Sequence, residues 1–300
     1  MKLTARKLFL AVIWSAAAAA AMLAYAYYVE PRILVTREYD ISVKGWDQRL
    51  DGLRIAAISD LHGGSNGGSI EKFHAVAAAV NAAEPDLVVI LGDFLSPEPG
   101  QPGQNRMQPD EIGKAIAGMS APLGVYAVMG NHDTNIAGAQ MKQALTNNGY
   151  AVLDGALAVI EREGAVFRIL GLRDHQQIGV WKDYADDARR LAAETEGTGP
   201  LLVLQHSPDV LPIITGDRLI SRDPMLMIAG HTHGGQIRLP VLGSPIVPSS
   251  YGQKYTAGHI RDGGIDLFVT TGIGTSILPF RFMVPPEVSI LTLRTAPARP

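Results

Sequence analysis

Leu53-Arg54-Ile55-Ala56-Ala57-Ile58-Ser59-Asp60-Leu61-His62 is a short apolar run that closes on a carboxylate and an imidazole two residues apart. Leu53 to Ser59, short and apolar apart from Arg54 and the closing serine, reads as a buried strand. Four later stretches repeat the design. Asp86 to Gly92 closes on Asp93, Gly124 to Gly130 on Asn131-His132-Asp133, Leu201 to Gln205 on His206, and Met225 to Ala229 on Gly230-His231-Thr232-His233. Helical patterns lie between them. Ser69 caps a helix whose core stripe is Ile70, Phe73, Val76 and Val80; a second runs from about Pro109 to Met119; Thr134 reads as the cap of a third, ended by Gly149; a fourth runs from about Tyr184 to Glu196. Strands alternating with helices define an α/β domain rather than a helical bundle or an all-β sandwich.

The rest of the chain is less regular. Two apolar runs around Glu161-Arg162-Glu163-Gly164 read as a hairpin, and the Gly/Pro-rich final third adds irregular strands near 266–271 and 287–293. Met225 and Met227 alternate in a strand and read as core. The loop from Phe94 to Pro109 carries four prolines and two glycines, a length and composition typical of functional loops.

The 300 residues are 47% apolar and 18% charged, which excludes disorder and collagen-like structure. With a formal net charge of −3 and no basic run in the domain, no nucleic-acid binding is expected, because that requires many phosphates to be neutralised at once. The lack of cysteine removes disulfide scaffolds, zinc knuckles and thiol nucleophiles, and leaves the compartment open.

Leu8 to Val29 contains no charge and, as a helix, is long enough to cross a bilayer core of roughly 30 Å. Tyr25, Tyr27 and Tyr28 stand where an interfacial aromatic belt belongs. Two readings fit: a retained anchor, and a signal peptide with Ala24-Tyr25-Ala26 as its cleavage site. Lys2, Arg6 and Lys7 favour a cytoplasmic N-terminus, hence a single-pass protein with its domain outside the cytoplasmic membrane, although Arg32, Arg37 and Lys44 follow closely. The expected layout is an anchor or signal-anchor over 1–30, a connecting segment over 31–50 and one domain over 51–300.

The polar residues at the strand ends carry the chemistry. In open α/β sheets ligands bind beyond the carboxyl ends of the strands, so five such ends imply one shared site. Glycines before Asp93, Asn131 and His231 are expected to let the backbone turn sharply there. A lone Asp-x-His is unspecific. Five of the eight histidines, however, fall in strand-end motifs, which chance does not explain; His74, His175 and His259 are assigned to helix surface, loop and loop.

The ordered set Asp60-x-His62, Gly92-Asp93, Gly130-Asn131-His132, His206 and Gly230-His231-Thr232-His233 resembles the calcineurin-like metallophosphoesterase superfamily. Gly234-Gly235-Gln236-Ile237, Gly272-Ile273-Gly274 and Pro279-Phe280-Arg281 resemble its bacterial membrane-anchored branch, which includes enzymes similar to UDP-2,3-diacylglucosamine pyrophosphatase. The resemblance implies a central β-sandwich of mixed sheets flanked by helices. It also implies two divalent ions, one held by Asp60, His62 and His233, the other by Asn131, His206 and His231, with Asp93 bridging. Imidazole, carboxylate and amide donors suit Mn²⁺, Zn²⁺ or Fe. Such a pair activates a water and supports in-line displacement at phosphorus. His132, without a metal in the family scheme, would then act at the leaving-group oxygen as general acid or as charge stabiliser, with Asp133 orienting it. Arg281 has two readings, a phosphate clamp and a surface arginine. Asp174 and His175 can reach the site from a loop, though nothing in the sequence demands it.

The activity implied is hydrolysis of a phosphodiester or pyrophosphate, with a membrane- or envelope-associated substrate. If the domain is cytoplasmic, a UDP-2,3-diacylglucosamine diphosphatase-like step of lipid A synthesis is the alternative. A metal-free binding module on the same fold is another, and a mononuclear structural metal site, which would leave several of these residues unexplained, a third.

Overall fold

The computed structural model describes residues 5–296 apart from 102, 178, 217 and 218; Lys2 lies outside the described residues. In chain order the elements are α1 (Ala5–Tyr28), β1 (Val35–Lys44), β2 (Arg54–Ile58), α2 (Ile70–Ala82), β3 (Leu87–Leu91), α3 (Pro109–Ala115), β4 (Val125–Val128), α4 (Asn131–Ile136), α5 (Gly138–Asn147) and β5 (Ala151–Val152). They continue with β6 (Ala156–Arg162), β7 (Ala165–Gly171), α6 (Trp181–Ala193), β8 (Leu201–Leu204), α7 (Leu211–Thr215), β9 (Met225–Ala229), β10 (Gly258–Asp262), β11 (Ile265–Val269) and β12 (Glu287–Ala296).

Two six-stranded mixed sheets result, ordered β1-β12-β2-β3-β4-β5 and β10-β11-β9-β8-β7-β6. The apolar runs of the sequence explain why they stack. A strand's side chains alternate between faces, so in β2 Ile55 and Ala57 enter the core between the sheets while Ala56 and Ile58 meet the helical layer. In β3, Leu87, Val89 and Leu91 point inward and Val88 and Ile90 outward. The stripe of α2 (Phe73, Val76, Val80) covers the outer face of the first sheet with α3 and α5; α6 and α7 cover the second. Met225 and Met227 are buried against those last helices. The result is four layers, helix–sheet–sheet–helix, in which strands apolar on both faces are the only ones that fit the middle.

Residues 31–50, read as a connecting segment, carry β1, which pairs in parallel with the whole of β12 from Val35↔Glu287 to Lys44↔Ala296. Of β1, Ile41 and Val43 are buried in the core and Tyr39 packs partly against it, as expected of an edge strand with one wet face. That leaves too few apolar positions for periodicity to register. The hairpin at Glu163-Gly164 is present, both residues with positive φ, joining β6 to β7. Thr134 does not cap a helix. It lies inside α4, which Gly130 caps, and its hydroxyl donates back to Gly130 O at 3.1 Å.

α1 is apolar on all sides and projects from the domain; among the described residues it is the one helix long and apolar enough to cross a membrane. Its last turn and the residues just after it are built into the fold: Arg281 N donates to Ala26 O at 2.9 Å, Asn66 Nδ2 to Tyr27 O at 2.8 Å, and, beyond the helix, Val284 N to the Glu30 carboxylate at 2.6 Å.

Candidate metal centre

The parallel strands β2, β3 and β4 of one sheet and β8 and β9 of the other end at one edge of the sandwich, and each delivers polar residues there just beyond its last paired position. His62 Nε2 lies 3.1 Å from His233 Nε2, and Asp60 Oδ1 is 3.4 Å from the latter. His206 Nε2 lies 3.0 Å from His231 Nδ1 and 3.2 Å from Asp93 Oδ2. Asp93 Oδ2 is also 3.6 Å from His62 Nε2, so one carboxylate touches both groups. Asp60-His62-His233, His62-Asp93-His132 and Asp93-His206-His231 each converge closely enough to hold an ion. Asn131 lines the same cleft as Asp93, His231 and His233. All seven residues expected as ligands therefore meet in one place.

The protein alone leaves this arrangement unsatisfied. Asp60 Oδ1 and Asn131 Oδ1 are buried without a hydrogen-bond partner, and two pairs of ring nitrogens face each other. Buried acceptors are normally paired. Orphan oxygens and opposed imidazoles are what a donor set for a cation looks like, so the residues fit a metal.

Backbone contacts aim the rings. His206 Nδ1 meets Leu91 O at 2.7 Å and His62 Nδ1 meets Leu95 O at 3.2 Å, which turns both Nε2 atoms toward the carboxylates. The backbone is bent to the same end: Asp60, His62, Asp93, His231 and His233 all have positive φ, a region that non-glycine residues seldom occupy. The three preceding glycines work differently from one another. Gly92 turns at φ +83, as expected, whereas Gly130 and Gly230 have no positive φ; they are glycine because a Cβ would collide with Asp93 and with the Ser59 and Asp60 side chains.

Electrostatics follows from burial. Desolvation pulls His62 and His231 down to about 3 and His233 well below its usual range, so all three rings are neutral at pH 7, with lone pairs free. Burial alone would depress His206 as well. The adjoining Asp93 carboxylate overrides it and raises His206 well above the usual range, so in the protein alone His206 carries a proton.

Two expectations are corrected. Arg281 is neither a phosphate clamp nor a surface residue: it is fully buried, and its guanidinium donates to Gly274 O, Val284 O and Thr271 O, packing 3.4 Å from His233 Nδ1. Asp133 does not orient the His132 ring. Its oxygens accept from the backbone N–H groups of Asp93, Leu95 and Gly130, each at 2.9 Å, and so splice the ends of β3 and β4 together.

His132 donates its backbone N–H to Asp93 Oδ1 at 2.9 Å, and its partly exposed ring stands where two clefts meet. One, of about 570 Å³, is walled by Ser65, Asn66 and Arg106 and by the Phe94–Pro109 loop, which folds back on itself through Arg106 N to Ser96 O. The other, about 340 Å³, carries Ile237, Ile246, Ile277 and Leu278. Sequence reasoning placed three histidines elsewhere. His74 is on the surface of α2, as expected, and His259 is in β10, paired with Asp266. His175 belongs to the surroundings of the site: its ring lies 5.8 Å from His231 and stacks on Trp181, while Asp174 beside it accepts from Thr134. No spacing motif signals either.

A hydrolytic metal centre on a helix-flanked sandwich of two mixed sheets is the class of protein that this geometry defines. The calcineurin-like phosphoesterase profile matches residues 53–235, and the chain belongs to that family, whose members use divalent metals. It is 32% identical to the uncharacterised metallophosphoesterase YkuE of Bacillus subtilis over 98% of this chain and 99% of that one. It is 27% identical to the phosphodiesterase YaeI of Escherichia coli (70% and 71%) and 24% identical to the UDP-2,3-diacylglucosamine pyrophosphatase LpxG of Chlamydia trachomatis (72% and 74%). The protein is a metal-dependent phosphoric ester hydrolase.

Two outcomes follow. Asp93 favours the protonated form of His206 in the protein alone, so a cation bound at His206 near pH 7 would have to displace a proton; calorimetric titrations with Mn²⁺ in buffers of different ionisation enthalpy should then give different heats, and identical heats would contradict binding there or the charge assignment. Arg281→Met orphans several buried carbonyls and lowers unfolding stability by roughly 3 kcal/mol or more, read from denaturant melts; unchanged stability with lost activity would restore the clamp.

Proposed function

We propose that the chain is a two-metal phosphodiesterase or pyrophosphatase acting on a membrane- or envelope-associated substrate. The observation that supports this best is Asp93, one carboxylate within 3.6 Å of an imidazole from each of two ligand groups. In this reading Asp60, His62 and His233 hold one ion, Asn131, His206 and His231 the other, and Asp93 both. Mn, Zn or Fe suits the donors. When bound, the ions supply Lewis acidity at the phosphoryl oxygens and a water acidic enough to attack at neutral pH.

The chain's own residues do the rest. The low pKa values of His62, His231 and His233 keep these rings unprotonated and ready. His132, held by its backbone yet with its ring partly open to solvent, delivers a proton to the departing oxygen. The two clefts share His132, Ser276, Ile277 and Leu278 and differ beyond them, the larger adding Asn66, Glu98 and Arg106 and the smaller Ile237 and Ile246, which favours a substrate whose two ends about the phosphate differ in polarity. Relatives named as a phosphodiesterase and as a UDP-2,3-diacylglucosamine pyrophosphatase are in keeping with both bond types. The complete ligand set argues against a metal-free binding module.

Lys2 and, in the first turn of α1, Arg6 and Lys7 favour a catalytic domain outside the cytoplasmic membrane, and so an envelope phosphodiester. A cytoplasmic domain would instead favour the diphosphatase step on UDP-2,3-diacylglucosamine.

With Mn²⁺ and a chromogenic phosphodiester, His132→Ala will keep its metal and lose roughly 10² to 10⁴ in rate; an equally active variant removes His132 from the mechanism. Asp93→Asn will release at least one metal ion, read by metal analysis of the purified protein. For topology, Lys182→Cys places a thiol at a position 81% exposed in a cysteine-free chain. A membrane-impermeant thiol reagent will label it in intact spheroplasts if the domain is outside. Labelling only after lysis would turn the substrate search to the nucleotide-linked lipid.

A further inference from the structure

The segments 236–248 and 275–284, which wall the apolar cleft, present side chains that nothing among the described residues covers. Val241 is 106% and Ile277 82% exposed, and Leu242, Ile246 and Met283 are more than half exposed. The two most exposed sit at the apex of turns their backbones resist. Leu242 N donates to Pro240 O at 2.8 Å across Val241, whose φ is +70; Leu278 N donates to Ser276 O at 2.6 Å across Ile277, whose φ is +61. A turn closed two residues apart with positive φ at its centre is rare and strained, and a β-branched residue fits it worst. Glycine or asparagine would occupy either apex more easily. Strain of this kind persists where it has a use, and here its effect is to hold an apolar side chain out into solvent.

The position of these turns says what they meet. Phe282 joins the two segments, accepting from Arg238 N at 2.8 Å and donating to Gln236 O at 2.9 Å; the Gln236 side chain accepts from Ser276 N at 2.7 Å. The same stretch carries α1: Arg281 N bonds Ala26 O, Phe282 packs on Tyr25 at 6.5 Å between ring centres, and Phe280 packs on Tyr27 at 5.6 Å. The apolar apices therefore flank the seat of a helix long enough to span a bilayer, beside the tyrosines that suit a headgroup region.

We propose that these two loops dip into the membrane interface next to α1, so that the domain rests on the bilayer with the apolar cleft opening onto the lipid surface. The inference rests on α1 being a membrane anchor. A bilayer, rather than a protein partner, is the occupant because the helix brings this face to the membrane. Ile246, Ile277 and Leu278 then form an apolar path from the lipid to the metal centre, along which a lipid-borne phosphate ester reaches the ligands without its chains crossing water.

Four single-cysteine variants of the full chain test this: Val241→Cys, Ile277→Cys, Ala19→Cys within α1, and Lys182→Cys on α6. Each carries an environment-sensitive fluorophore after reconstitution into phosphatidylethanolamine–phosphatidylglycerol liposomes containing lipids brominated at known depths, with iodide as the aqueous quencher. Labels at 241 and 277 should be quenched severalfold by shallow bromines and shielded from iodide. The label at 19 should be quenched by deep bromines, and that at 182 by iodide alone. If 241 and 277 behave like 182 while 19 reports from the bilayer, the docking inference is wrong and the anchor stands. If 19 also lies open to iodide, the anchored reading fails and the inference with it.

Discussion

A carboxylate almost sealed from water, Asp93, lies within 4 Å of His62, His132 and His206, and the rest of the site is organised around keeping it there. A buried carboxylate is costly unless it is paired. Its backbone N–H is held by Asp133, its Oδ1 receives the His132 N–H, and its Oδ2 faces an imidazole from either side. Bringing those imidazoles together requires strands of two different sheets to end side by side. The sandwich accomplishes this by stacking the sheets face to face with strand ends of both at one edge.

The neighbouring strand ends are joined by backbone hydrogen bonds rather than by side-chain bulk: Asp60 N to Gly92 O, His62 N to Asp93 O, Gly230 N to His206 O, and Gly274 N to Asp60 O. Close approach explains the small residues. A side chain at 130 or 230 would push Asp93 or Asp60 out of place. Arg281 anchors the outer side of the same network, where burial lowers its pKa to about 10 while three carbonyls hold its guanidinium. A charged group buried for support and a carboxylate buried for chemistry thus occupy adjoining layers.

Much of this was legible in the sequence, because strands apolar on both faces cannot be anything but central, and metal-competent residues at their ends cannot all be accidental. What escaped is equally physical. β1 and β10 are edge strands whose polar residues face water, so no apolar period marks them. The role of Asp133 is invisible from its place beside His132, since its partners are backbone groups 38 and 40 residues away in the chain. Neither reading of Arg281, clamp or surface residue, anticipates its burial, because nothing local reveals that its surroundings are carbonyls. His175, with Trp181 stacked on it, comes near His231 through the path of the loop after β7.

The seam between helix and enzyme is no hinge. Ala26 is buried, its carbonyl engaged by Arg281, and Tyr25 and Tyr27 complete an aromatic packing with Phe282 and Phe280. A shortened chain meant to be handled without lipid should therefore begin ahead of Tyr25. Starting it after Tyr28 would strip two phenylalanines of their cover and remove the carbonyl that Arg281 N engages, only two contacts away from His233.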